Sequence, residues 1–474
     1  MFITNLRPQT HQFFSEHGFS PSAWLLSSHR ATPETLLLAS AVRAQGRPLM
    51  ADNGTKDLIE VLLARFEGEA RDVRSSYHAL KRGLPDGRRI PHPREIPAAL
   101  RLQASALASR VLVAADELYA EIDDEAQTGM QLAMAPTHLI AKEDFAVAAL
   151  LGLGLERELL GWRLDAYDRR NRRTLEGWQR VRAVVPPDVR VYATLGAVDY
   201  SSARRSGELA VAAGADSVAI GFVGLNADTT YTDRVFLARR RRLSVAGPRR
   251  YVRLVEVLAG LRDGFAAAGG RLVAFHALGL GARPMFPLVR LVLGDGPMLS
   301  IDATSPLMDA VRDRVLYDDR NNGDRLTVRA AAVGVLEGRD DSPVPGGAFM
   351  QMAATELGHR PEAARQWWAE EGHRPLSWAD LDPLSPLARY LSVYASGVGG
   401  VTSRQESFWV AHNHQVCEQI ACSMDSVAAA AGVFDSSLAS AVSMTVRNGL
   451  IVAREAAAMT RGGVWPDDRS SVDG

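Results

Sequence analysis

The chain has 474 residues, 47% hydrophobic and 23% charged, enough to bury a large core and to form one big domain plus a smaller one. Lys and Arg number 54 against 55 Asp and Glu, a net charge of −1. Bulk charge therefore announces no polyanion partner, which would need a local basic face. The only cysteines, Cys417 and Cys422, exclude a disulfide framework and a four-cysteine metal site.

The N-terminus, Met1-Phe-Ile-Thr-Asn-Leu-Arg, has no basic segment leading into a long apolar one, and no stretch reads as bilayer-spanning. The expectation is a cytoplasmic protein without a membrane partner. Strand-like apolar runs follow near Ala23–Ser27, Pro48–Ala51, Val111–Ala115, Met130–Ala135, Val189–Thr194, Ser217–Gly221, Leu272–Phe275 and Met298–Ile301. Amphipathic helical patterns lie between several of them, including Asp57–Phe66, Arg172–Val184, Ser202–Ala213 and Tyr251–Ala268. That alternation predicts an α/β fold, a (β/α)8 TIM barrel, with an open doubly wound sheet as the alternative. The doubly wound reading lacks its phosphate fingerprint, because Gly279-Leu-Gly281-Ala-Arg-Pro284 has no third glycine.

Texture changes after about residue 345. Asp340-Asp-Ser-Pro-Val-Pro-Gly-Gly347 reads as a loop or boundary, so the expected domains are a barrel over 1–345 and a mostly helical region over 346–474. The latter includes the Ala/Ser/Val-rich stretch Ser423–Met459 and a polar end, Gly462–Gly474. Its helices would bury against the barrel or against a second copy, as in a homodimer.

In a barrel, reactive groups sit just past the strand ends. That rule selects Asp52 and Asn53, Asp116 and Glu117, Gly196 to Asp199, Gly221 to Gly224, His276 to Gly281, and Asp302. Asp302 follows Met-Leu-Ser-Ile directly, and an acid leaving an apolar strand is costly without a task. Two carboxylates facing one pocket, Asp52 and Asp302, suit glycosyl chemistry: one attacks or stabilises the anomeric carbon and the other shuttles a proton. Acids at strand ends also cap helices, and Asp52-Asn-Gly is good turn chemistry.

Other positions stay open between two uses. A lone histidine such as His276 serves more often as a hydrogen-bonded wall of a pocket than as a proton shuttle. Asp199 would bind a ribose hydroxyl or base edge, or else cap the helix starting near Ser201. Arg239-Arg240-Arg241-Arg242, with Arg234, Arg249 and Arg250, puts seven arginines in seventeen residues; they make a phosphate track or a solvated face.

From Pro48 to Asn413 the chain resembles the tRNA-guanine transglycosylase superfamily. Arg47-Pro-Leu-Met-Ala-Asp52-Asn-Gly54 is similar to the family's strand ending in Asp-Ser-Gly, whose Asp is the proton-transfer residue. Arg173-Thr-Leu175 with Trp178 resembles an Arg-Thr-Leu…Trp helix. Ala219-Ile-Gly221-Phe222-Val-Gly224 resembles the base-binding Ala-Ile-Gly-Gly-Leu loop, and Ala277-Leu278-Gly279-Leu-Gly281-Ala-Arg-Pro284 the Leu-Met-Gly-Val-Gly-x-Pro segment. Ile301-Asp302 falls where the family has its nucleophilic aspartate, and His412-Asn413 resembles its C-terminal His-Asn pair.

The departures point away from standard tRNA work. The zinc-binding Cys-x-Cys-x-x-Cys cluster is missing, and Cys417 and Cys422, five apart on a helix, face different ways. They read as buried thiols and His412 as structural, with no metal and no cofactor. Gly196 stands for a glutamine, Lys56 for the stacking aromatic, and Thr304-Ser-Pro306 for Pro-Thr-Arg. The third base-reading acid has no clear counterpart, although Glu156 and Glu158 lie nearby in sequence. The resemblance implies a base-exchange glycosyltransferase that replaces guanine in DNA by a 7-deazaguanine base. In it Asp302 forms the covalent adduct, Asp52 moves the proton, and Gly221, Phe222, Gly224, Asp199, His276, Leu278 and Gly279 surround the base. The same chemistry on tRNA and a non-catalytic partner subunit are the alternatives, and an ATP-dependent helper protein is a further expected partner.

Overall fold

A computed structural model describes residues 1–16, 19–83, 93–155, 157–160, 164–222, 231–232, 235–238, 241–243, 247–313, 315–317, 325–327 and 401–422, with five positions between 366 and 373. In chain order its strands are β1 (Phe2–Asn5), β2 (Trp24–Ser27), β3 (Leu49–Asp52), β4 (His138–Ile140), β5 (Arg190–Leu195) and β6 (Ser217–Gly221). Next come β7 (Tyr231–Thr232), β8 (Val235–Ala238), β9 (Arg241–Leu243) and β10 (Gly247–Pro248), then β11 (Ala274–Leu278), β12 (Met298–Asp302), β13 (Val315–Tyr317) and β14 (Arg325–Thr327). Eight of them close into a barrel in the order β1-β12-β11-β6-β5-β4-β3-β2. The ladders from β2 round to β12 are parallel, and helices occupy the connections, so the fold is a (β/α)8 TIM barrel. β7 with β10 and β8 with β9 are separate antiparallel pairs in the connection before β11.

The staves are buried almost residue for residue, as in Leu49-Met50-Ala51 and Val218-Ala219-Ile220. Parallel strands covered on both faces need such unbroken apolar runs. That is why most of the barrel was legible as sequence.

Two expected strands are helices. Val111–Ala115 lies inside Ala98–Glu121, whose buried residues Leu100, Ala104, Leu107, Ala108, Val111, Ala114 and Ala115 recur at helical spacing. Met130–Ala135 falls largely within Asp124–Ala133, capped by the Asp123 carboxylate, which accepts from the backbone of Glu125 and Ala126. A short apolar run does not carry its own period, and here tertiary packing chose helix. The barrel uses β1 and β4 in their place. Asp116 and Glu117 consequently sit on a helix rather than at a strand end. Contrary to expectation, Ala98–Glu121 is also long and apolar enough to cross a membrane by length and composition. It packs against Thr55–Arg82 and Ala146–Gly152 in one apolar cluster that includes Phe66, Tyr77, Leu107 and Leu150.

The contacts gather into two compact units. One comprises the described parts of Ala23–Leu280 and Leu288–Asp302, and the other those of Met1–Ser22, Gly281–Pro287 and Ala303–Arg447. The expected boundary at 345 lies outside the described residues, as do Asp340–Gly347, Ser423–Met459 and the polar end. In the second of these units the helix Val401–Cys422 supplies its polar core. The Asn413 amide donates to the Pro306 and Val315 carbonyls and its oxygen accepts from the Tyr317 N–H. His412 Nε2 lies 2.8 Å from the Tyr317 carbonyl. Arg283 stacks on the Tyr317 ring at 3.5 Å, and the Tyr317 hydroxyl donates to Asp309. Cys417 is buried, its thiol pushed up to about 12 chiefly by desolvation, whereas Cys422 is exposed, which corrects the expectation of two buried thiols.

Candidate active site

Asp52 is the last residue of β3, and the turn after it is built from its neighbours. The Gly54 N–H donates to Asp52 Oδ2 at 3.3 Å. Gly54 has φ +75 and lies against the His29 ring, so a side chain there would be strained in backbone and crowded in space. Asn53 is buried; its amide donates to the Ala141 carbonyl at 2.8 Å, and its oxygen accepts from the Thr55 N–H at 2.9 Å. Gln127 and Gln131, from the helix misread as a strand, donate to the Asn53, Ala51 and Ile140 carbonyls. These bonds tie the end of β3 to the end of β4.

That tie brings in a residue the sequence reading missed. Glu143 follows β4, and Thr55, the first residue of the helix after Asp52, favours its charged form. Burial first, then the charges of Asp52 and Asp144, push its carboxyl up to about 8, against the pull of Thr55. Asp52 itself is raised to about 6, by burial and then by the charge of Asp302, with the Gly54 and Asn53 amides and His276 opposing. Asp52 ionises first, so its charge acts on Glu143 while neutral Glu143 leaves Asp52 alone. Both side chains lie deep yet keep some solvent exposure, the mark of a recess. At neutral pH the recess holds a protonated Glu143 beside a mostly ionised Asp52.

The resembling Arg-Thr-Leu…Trp helix supports this corner from behind. Arg170 and Arg173 both pair with Asp144, at 2.9 and 3.4 Å, and with Asp116. The Thr174 hydroxyl accepts from the Asp144 N–H, and the Trp178 indole donates to the Val191 carbonyl. Asp116, expected at the barrel mouth, is thus an ion-pair partner of this helix. Glu156 and the Glu158 side chain, considered for the third acid, lie outside the described residues. The signal overlooked was His138-Leu-Ile ending in Ala-Lys-Glu143-Asp144, the same apolar-run-then-acid pattern that marks Asp52 and Asp302.

Asp302 ends β12 and is 8% exposed. Parallel strands put their C-terminal ends on one side, so Asp302 and Asp52 open on the same mouth, and each is within reach of the other's charge. The Gly279 N–H donates to Asp302 Oδ1 at 2.9 Å; Gly279 has φ +66. His276 Nε2 stands 3.3 Å from the same oxygen, at ion-pair distance but off the hydrogen-bonding line. Among the described residues none hydrogen-bonds Asp302 Oδ2. His276 is fully buried and lies within β11, not one residue past it, because the strand runs Ala274–Leu278 rather than ending at Phe275.

The remaining expected residues divide. Leu278 ends β11, and its carbonyl accepts from the N–H of buried Phe222. Gly221 ends β6 and faces open space. Asp199 is the N-cap of Tyr200–Ala212, in a capping box with Ser202, so of its two candidate uses the cap is the one observed. Gly224, Arg239 and Arg240 lie outside the described residues. Arg241 and Arg242 belong to the backbone of β9, with their side chains outside the described set. Lys56 is half-exposed and 3.7 Å from Glu60. Among the described residues no group of three or more His, Cys, Asp or Glu is placed to hold a metal ion.

No known protein family model matches this chain, and no curated protein matches it significantly. Its chemistry has to be read from the mouth itself: an orientable carboxylate at Asp302, a second at Asp52 poised near neutrality, and a neutral donor acid at Glu143. That set can attack an electrophilic carbon, exchange a proton with a leaving group, and hydrogen-bond a polar ring edge.

Proposed function

We propose that the protein is a base-exchange glycosyltransferase of the guanine transglycosylase type, replacing guanine in DNA by a 7-deazaguanine base. What carries the reading is the pair Asp52 and Asp302, delivered by separate strands to one barrel mouth and electrically coupled. A target guanosine is flipped from its strand, since C1′ and the base edges are out of reach in a stacked duplex. Asp302 Oδ2 attacks C1′ and the C1′–N9 bond breaks, while Asp52, in its protonated form, supplies the proton to departing guanine. The 7-deazaguanine then gives a proton to Asp52 and displaces the Asp302 carboxylate from C1′. Two inversions give retention. Protonated Glu143 donates to an acceptor on the base, the one role that a neutral acid fills and a carboxylate does not.

The DNA preference rests on the departures in sequence: no zinc cysteines, and Thr304-Ser-Pro306 after the nucleophile. Incubating the protein with labelled guanine and, separately, DNA or tRNA tests the whole reading. Label entering DNA supports it, label entering tRNA moves the substrate, and no label in either leaves a non-catalytic partner subunit.

A further inference from the structure

TIM barrel interiors are filled mainly by Val, Ile and Leu, but part of this one is polar. His276 on β11 is registered beside Ser300 on β12, with Nδ1 2.9 Å from the Ser300 hydroxyl. Asp302, two residues on and so on the same face of β12, has Oδ1 3.3 Å from Nε2. On β5 the Tyr192 ring lies near the His276 ring, with centroids 6.0 Å apart. Tyr192, Ser300 and His276 are 1%, 3% and 0% exposed. Burying three polar groups where aliphatics would pack carries a desolvation cost that each contact only offsets.

The chain of contacts has a direction. Nε2 faces a carboxylate oxygen, which only accepts, so the imidazole proton belongs on Nε2. The Ser300 hydroxyl then donates to His276 Nδ1; its alternative acceptor, the Phe275 carbonyl, is 3.5 Å away. The opposite tautomer would aim a lone pair at a carboxylate oxygen.

We propose that Ser300 and His276 form a polarised pair within the barrel that makes His276 the positioning residue of Asp302. It faces Oδ1, which the Gly279 N–H holds, and leaves Oδ2 to react. This rests on the reading of Asp302 as the attacking carboxylate. The titratable and charged groups facing His276 are Asp302 on β12, Asp52 on β3, Tyr192 on β5 and His138 on β4. Its neighbour on β6 is Ala219. His138 is neutral, pushed down to about 4 by burial and nearby cations.

The test is nitrogen NMR on the full chain labelled in histidine, with kinetics alongside. The neutral His276 ring is expected as the Nε2-protonated tautomer. Ser300→Ala should shift population toward the other tautomer, because it removes the hydroxyl that Nδ1 accepts from. His276→Leu should cut kcat roughly 10- to 100-fold, the range for lost outer partners of a reactive group, with KM within about twofold, and His276→Gln should recover part of it. An Nδ1-protonated ring in the wild type, or a tautomer ratio indifferent to Ser300→Ala, overturns the pair even if His276→Leu does not fold. The parent reading fails separately, if Asp302→Asn still exchanges base at near the wild-type rate.

Discussion

Asp52 and Asp302 stand on strands that are not neighbours, yet the charge of Asp302 reaches Asp52 and adds to burial in lifting its carboxyl to about 6. One acid at the mouth is thereby set to exchange a proton near neutrality, the property that a proton-transferring carboxylate needs.

Removing the charge should reveal the coupling. Asp302→Asn is expected to abolish base exchange and any trapped glycosyl adduct, and to move the Asp52 titration down from about 6 toward the ordinary 3.8. Carbon NMR of the carboxyls reads the second effect independently of activity. An unmoved Asp52 would mean that burial alone raises it.

Asp52→Asn should lower exchange by roughly 10²–10⁴-fold, the usual share of a general acid–base group, with nucleic-acid affinity largely kept. It should also stabilise the fold at neutral pH. A folded pKa above the unfolded value gives stability that is complete below about 3.8 and is lost as pH rises through about 6. The variant's advantage in denaturant midpoint should therefore grow between pH 4 and 6 and level off above, reaching at most about 3 kcal/mol at 1.36 kcal/mol per unit.

Glu143 has the same sign over a higher window, from 4.5 to about 8. Because it is neutral at pH 7, Glu143→Gln should change exchange there by less than about tenfold, while Glu143→Ala should lose more. Above pH 8 the Gln variant should keep activity that the wild type loses through ionisation of Glu143. Matching alkaline limbs in a pH–rate comparison would show that the Glu143 proton is not used.

The stitching of β3 to β4 has a measurable worth. Asn53→Ala removes two buried hydrogen bonds, to the Ala141 carbonyl and from the Thr55 N–H, and should cost about 2–4 kcal/mol in chemical denaturation. Arg170→Ala should cost more than Arg173→Ala, since Arg170 is the less exposed of the two and lies closer to the buried Asp144 carboxylate.

Much of this was legible in residue order. Six of the expected strands lie on barrel staves, because a strand buried on both faces must be a nearly unbroken apolar run. Asp52 and Asp302 stood out because each interrupts such a run with a charge. Val111–Ala115 misled because Val-Leu-Val-Ala-Ala satisfies a strand and a buried helix equally, and only the cluster with Phe66 and Leu150 decides between them. Losing the real β4 hid Glu143, since a strand-end rule cannot find the acid of a strand that has not been recognised.

By itself, then, the order of residues determined the barrel and the two acids at its strand ends, for burial and strand-end delivery are both written within a few consecutive positions. Only the tertiary structure decided which acid keeps its proton, that Glu143 joins them, and that His276 faces Asp302 rather than solvent. Those outcomes depend on desolvation and on charges a few ångströms apart in space but distant along the chain, and no local pattern encodes such distances.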